Sequence, residues 1–217
     1  MNPTATIRAQ LLATEHWSLL ATRSTAQSEI LSRITTFLML VSSSIVGAAL
    51  IGQVTRFDGR FIAFALVLVG MLVVIGTFTQ MRVAHAAIED LGHVIGMNRL
   101  RAAYVELDPG IERFLVTSAH DDDHGVWKTY NPLAGPRAVL QPLASGGAFI
   151  TFVTAGLASA FGALVVIAVG GPGALAVVVA VACGVGFAGA SVATGFRQYQ
   201  RIWGRPVLFP GGSQKEG

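Results

Sequence analysis

Charge is scarce in this chain and missing from three long stretches. Asp, Glu, Lys and Arg make up 12% of its 217 residues, against roughly 25% in an average soluble domain. None occurs from Ile34 to Thr55, from Phe61 to Met81 or from Ala138 to Phe196. Stretches so empty of ionisable groups argue against proton relays, ion-coupled carriers and voltage sensors, which place such groups within the membrane. Cysteine is nearly absent too: Cys183 stands alone, so no intrachain disulfide can form, and a buried packing role is expected for it. There is no Walker loop, no G-x-S-x-G elbow, no Cys-x-x-Cys pair and no dinucleotide glycine pattern, so no enzyme is expected. Nor does a Lys/Arg run with interleaved aromatics occur, which speaks against nucleic acid as a partner. The N-terminus has no basic segment leading straight into a short apolar core, so no signal peptide is expected.

What is present is apolar surface, 53% of residues with a mean hydropathy of +0.61. Each of the first two uncharged gaps matches the ~20 residues that cross ~30 Å of hydrocarbon, and the third is long enough for two crossings. It divides at Gly170-Gly171-Pro172-Gly173, which suits a tight turn. The expected fold is an all-α integral membrane protein with four transmembrane helices in two hairpins: Ile34 to Gln53, Phe61 to Gln80, Leu143 to Val169 and Ala174 to Phe196. Thirteen of the 15 Lys and Arg residues lie before the first span, between the second and third, or after the fourth; only Arg56 and Arg60 lie on the other side. The positive-inside rule then places both termini and the central segment in the cytoplasm of a bacterial inner membrane. The organisation is thus a cytoplasmic amphipathic helix (1–33), a first hairpin (34–81), a cytoplasmic helical segment (82–137), a second hairpin (138–196) and a cytoplasmic tail (197–217).

No Pro or Gly occurs between Pro3 and Gly47, so one helix from near Thr4 is expected to run unbroken into the first span. Ile7, Leu11, Trp17, Leu20, Ile30 and Leu31 recur at helical spacing on it, and Trp17 with the repeated Leu-Leu pairs forms an apolar stripe expected to pack against protein, the alternative being the lipid interface. Past the second span the helix continues, with Ala84, Ile88, Leu91 and Ile95 on one face and Arg82, His85, Glu89, His93 and Gly96 opposite. Asp108-Pro109 reads as a cap and first turn of a short helix through GIERFLV. A Gly-, Pro- and Asn-rich loop, HDDDHGVWKTYNPLAGP, follows, and the last residues, FPGGSQKEG, are expected to fray.

Two clusters carry metal-ligand chemistry. His120, Asp121, Asp122, Asp123 and His124 supply carboxylates for a hard divalent cation and imidazoles for a transition ion. Five adjacent ligands do not by themselves converge on one ion, and an acidic contact or sensing loop is the expected reading. His85, Glu89 and His93 lie at i, i+4 and i+8, but ~12 Å of helix rise separates the histidines, so one ion cannot bind both from one helix. The metal reading requires the two clusters to meet; no other cofactor is implied.

In the apolar spans, Ser42, Ser43, Ser44, Thr77 and Thr79 are candidates to line a pore, the alternative being bonds to their own helix. Small residues recur at four-residue spacing in the last two spans: Gly156 with Ala160, Ala158 with Gly162, Ala180 with Gly184 and Ala188, and Gly186 with Ala190. In lipid such faces let backbones approach closely. They are more numerous than one helix pair can use, which points to a homo-oligomer surrounded by membrane lipid.

The stretches EHWSLLATRS (15–24) and FLVTSAHDDDHG (114–125) resemble signatures of a family of small uncharacterised bacterial four-helix membrane proteins, a resemblance that covers most of the chain and implies no activity. The layout, a pre-membrane helix feeding a hairpin with a cytoplasmic extension, is loosely similar to the SLATT-type membrane effectors of bacterial conflict systems, which implies pore formation; two further spans depart from that pattern. The leading expectation is a homo-oligomeric inner-membrane protein forming an ion pore or channel with cytoplasmic gating helices. The alternatives are an accessory or scaffold subunit of a larger membrane complex, with another membrane protein as partner, and a metal-dependent membrane enzyme.

Overall fold

The computed structural model describes residues 3–132 and 145–211. Every regular element among them is helical: α1 (Pro3–Thr55), α2 (Gly59–Leu107), a 3-10 turn (Pro109–Phe114), α3 (Asp123–Tyr130), α4 (Gly146–Ala168) and α5 (Gly173–Ile202). Four of these, α1, α2, α4 and α5, are long and apolar enough to cross a membrane. The first two exceed that need: the 53 residues of α1 extend about 80 Å at 1.5 Å per residue. With neither Pro nor Gly from residue 4 to 46, nothing interrupts its hydrogen-bond ladder.

The ends of the helices have local causes. After α1, Arg56 (φ 52°) and Phe57 (φ 58°) are both left-handed, a conformation that costs roughly 1–2 kcal/mol per non-glycine residue. Two contacts offset it: the Phe57 ring lies over Gly52, and Asp58 Oδ1 accepts from the amides of Arg60 (2.9 Å) and Phe61 (3.2 Å), capping α2. The expected turn at Gly170 to Gly173 is present. Gly170 is left-handed (φ 74°), its amide donates to Ile167 O at 3.0 Å, and Gly171 N donates to Val166 O at 2.9 Å. That double closure is a Schellman cap, which favours glycine.

The third apolar helix starts at Gly146, where Ser145 Oγ accepts from Ala148 N at 3.2 Å, so its described start lies after the expected Leu143. Residues 143 and 144 lie outside the described residues. The fourth runs six residues past Phe196 to Ile202. The helix expected after Asp108 is a 3-10 turn that stops at Phe114.

Contacts divide the chain into two compact units. The first comprises the described residues within Met1–Glu29, Ala86–Gln141 and Tyr199–Gly217; the second comprises those within Ile30–His85 and Pro142–Gln198. In the second unit, Ile34, Phe37 and Val41 of α1 pack with Leu72 and Val83 of α2 and Ile150 of α4. The approach is close at Gly76, where a Cβ would meet Phe37 and Thr154. α4 and α5 meet at two more glycines: Gly162 lies under Cys183 and Val179, and Gly184 under Ser159 and the Ala155 carbonyl. Ala180 and Ala188 flank Gly184 half-buried, while Gly156, Ala160 and Gly186 are exposed, with open space beside both glycines. Cys183, expected to be buried, is exposed, although its Sγ seats Gly162.

In the first unit α1 and α2 run antiparallel. Moving along α1, Arg8 meets Glu106, His16 stacks on Tyr104, Leu19 lies at Gly96 and Arg23 pairs with Asp90. Leu91, Val94, Met97 and Val126 form the core there, with Leu19, Ile202 and Trp203 against it. This corrects the expected stripe on α1. Ile7 (58% exposed), Leu11 (67%), Trp17 (71%) and Leu20 (43%) face outward. The turned-in face carries Leu12, His16, Leu19 and Arg23, because the partner helix offers Asp90 and Tyr104 to its polar members.

Candidate functional site

The most organised polar chemistry lies in the first unit, along the α1–α2 seam and the acidic segment after it. α2 turns Val83, Ala86, Asp90, Val94, Met97 and Asn98 inward. The expected apolar face is shifted: Leu91 is buried, but Ala84, Ile88 and Ile95 are only half-buried. The centre of the buried face therefore includes an acid. Asp90 Oδ1 accepts from Arg23 Nε at 2.9 Å and Oδ2 from the Tyr130 hydroxyl at 2.6 Å. Arg23 lies over the Tyr130 ring, 5.4 Å from its centroid. A buried carboxylate is tolerated when both oxygens are satisfied and a cation is adjacent. Burial, then the hydrogen bond to Asp90, pushes the Tyr130 phenol far above its ordinary range, so it acts as a fixed donor.

Two turns further along α2, fully buried Asn98 makes a second node. Its amide nitrogen donates to His120 O (2.7 Å), while its oxygen accepts from Thr129 Oγ1 (2.9 Å) and Arg101 Nη1 (2.8 Å). Arg101 stands one turn before Tyr104 on α2, and His16 stacks on the Tyr104 ring. Burial, then the Arg101 charge, lowers the His16 pKa, and burial raises that of Tyr104. His16 Nδ1 is buried without a hydrogen-bond partner.

The HDDDH segment is neither a solvated loop nor a metal cluster in this arrangement. Asp121 is buried: Oδ2 accepts from Arg99 Nε at 2.7 Å, and Oδ1 from Phe209 N at 2.7 Å and Leu208 N at 3.1 Å. Burial pushes its pKa upward, but the two amides and Arg99 outweigh that and hold it below the ordinary carboxylate range. Asp122 caps α3 through Gly125 N (2.7 Å) and receives Gly211 N (2.7 Å). Asp123 accepts from the Tyr199 hydroxyl at 2.6 Å. All three carboxylates are thus engaged by protein donors, and the segment holds residues 206–211 in place, with Arg99 Nη2 also donating to Pro206 O at 3.2 Å.

Two expectations are corrected here. The presumed loop contains α3, started by the Asp122 cap and by Gly125, where a Cβ would run into the His120 carbonyl. The tail expected to fray is bound as far as Gly211; residues 212–217 lie outside the described residues. Among the described residues no three His, Cys, Asp or Glu side chains are grouped to hold a metal ion. His124 and Glu89 are exposed, His120 is half-buried, and half-buried His93 has its Nδ1 buried without a partner.

The second unit contains a cleft of about 320 Å³ between α2 and α5. Thr77, Gln80, Met81, Ala84 and His85 line one wall, and Phe187, Ala190, Ser191, Thr194, Gly195 and Gln198 the other. His85 thus sits with Thr77. Gln80 Nε2 donates to Thr151 Oγ1 at 2.9 Å, and its Oε1 is buried without a partner. Thr77 and Thr79 hydrogen-bond to their own helix, at Val73 O (2.7 Å) and Ile75 O (2.8 Å). Ser42 and Ser43 are exposed and Ser44 is half-buried.

No protein-family model, curated protein or solved structure matches this chain. Arg23, Asp90, Asn98, Arg101 and Tyr130 escaped the sequence reading. Their one signal is that Asp90 shares a face with Ala86, Val94 and Met97.

Proposed function

We propose that the chain is a multi-pass inner-membrane protein that assembles with copies of itself into a pore, with residues 1–33, 82–137 and 197–217 in the cytoplasm. The observation that carries this reading is the apolar surface left over after the helices have packed. Only 11–28% of the most apolar window of each long helix is buried, and Val177, Val181, Val185 and Val192 of α5 are exposed. Gly162 and Gly184 are used between α4 and α5, whereas Gly156 and Gly186 have open space beside them. Small residues gain energy in lipid when another helix approaches them closely, and a second copy supplies such a helix. Exposed Ser42 and Ser43 are the polar groups offered to a conduction path. The positive-inside charge distribution supports the cytoplasmic placement, and the loose likeness to SLATT-type effectors agrees with conduction.

The test is the mass of the purified protein in lipid nanodiscs. Several copies per particle are expected, and G156L combined with G186L should reduce that number. A single copy per particle, or recovery only with a stoichiometric different membrane protein, contradicts self-assembly.

A further inference from the structure

The α1–α2 seam contains a cation with no acid on it. Arg101 bonds Asn98, whose oxygen also holds Thr129, and Arg23 lies over the ring of the next residue, Tyr130; the acid there, Asp90, has one oxygen on Arg23 and the other on Tyr130. Arg101 is half-buried, gives Nη1 to Asn98 Oδ1, and pairs with no carboxylate among the described residues. A guanidinium carries five N–H donors in a rigid fork, and one of those of Arg101 is given to protein among the described residues. The fork is also held in place: Asn98 is fully buried and tied to His120 and Thr129. Desolvating a cation without an opposite charge is costly, and an anion seated there would relieve that cost. Beside it stand His16, with a buried and unpartnered Nδ1, and the Tyr104 ring stacked on it with centroids 5.9 Å apart.

We infer that Arg101, with Arg23 and His16, forms a binding site for a small oxyanion of the phosphate type. Phosphate suits this set better than carboxylate because its oxygens can accept from the Arg101 fork while leaving acceptors for neighbouring donors. The phosphate comes either from a soluble anion or from a lipid headgroup, and the chemistry of recognition is the same. The site stands on the seam alone and does not depend on conduction.

The test is thermal unfolding of the purified full chain in detergent, titrated with inorganic phosphate against chloride at matched ionic strength. Phosphate should raise Tm of the wild type, and R101Q should weaken that binding by about tenfold or more, the worth of a charge-assisted hydrogen bond. Without phosphate, R101Q should unfold no earlier than the wild type, since it removes an unpaired cation; R101K should retain part of the response and R113Q all of it. If soluble phosphate has no effect but nanodiscs with anionic phospholipid raise Tm over zwitterionic ones in an Arg101-dependent way, the occupant is a headgroup. A response to neither source, or one that R101Q leaves unchanged, overturns the site.

Discussion

At Asp90, α1, α2 and α3 are joined through one side chain, because Arg23 and Tyr130 both donate to it. D90N keeps the shape but leaves Arg23 without its counter-charge, so chemical denaturation should show a loss of about 2–3 kcal/mol. Y130F deletes a hydrogen bond to a buried carboxylate and should cost about 1.5–3 kcal/mol. Asp121 gives the pH dependence. Its folded pKa is depressed, so its stabilisation is fully present above the ordinary carboxylate value of about 4 and is lost as pH falls through the lower folded value. Amide protection, measured relative to the unfolded chain at the same pH, should therefore fall at Leu208 and Phe209 below about pH 4, and in D121N at neutral pH. Little of this was legible in the sequence. A helical-pattern reading assigns charged residues to the outer face, and Arg23 and Asp90 are 67 positions apart. The HDDDH run was visible as a cluster, but its donors at Leu208, Phe209 and Gly211 come from some ninety residues further on.

Among the elements, the two terminal apolar helices pack through specific glycines. G184L forces a side chain into Ser159 and the Ala155 carbonyl and should lower Tm sharply, whereas G156A and G186A enter open space and should leave the protomer's Tm within a few degrees. The helices themselves were legible because uncharged length and the absence of Pro and Gly are local properties. Which face turns inward was not. On α1 both members of each Leu-Leu pair read as apolar, yet only Leu12 and Leu19 turn inward, because the buried face is chosen by what α2 presents. W17Q should accordingly change protomer stability by no more than about 0.5 kcal/mol.

For the whole molecule, the distribution of 13 Lys and Arg residues against two is a property of the full chain, and the proposed cytoplasmic placement of both termini rests on it. The proposed pore belongs to the same scale, because the surplus apolar faces would be covered only between copies. The four long apolar helices were readable from composition alone; the cleft between α2 and α5 was not, since its walls are far apart in sequence. The most direct measurement is ionic current across planar bilayers containing the purified full-length protein. Discrete conductance steps are expected, reduced by S43W and abolished by G156L with G186L. Bilayers that stay silent, with the protein shown to be inserted and folded, would contradict the proposed pore.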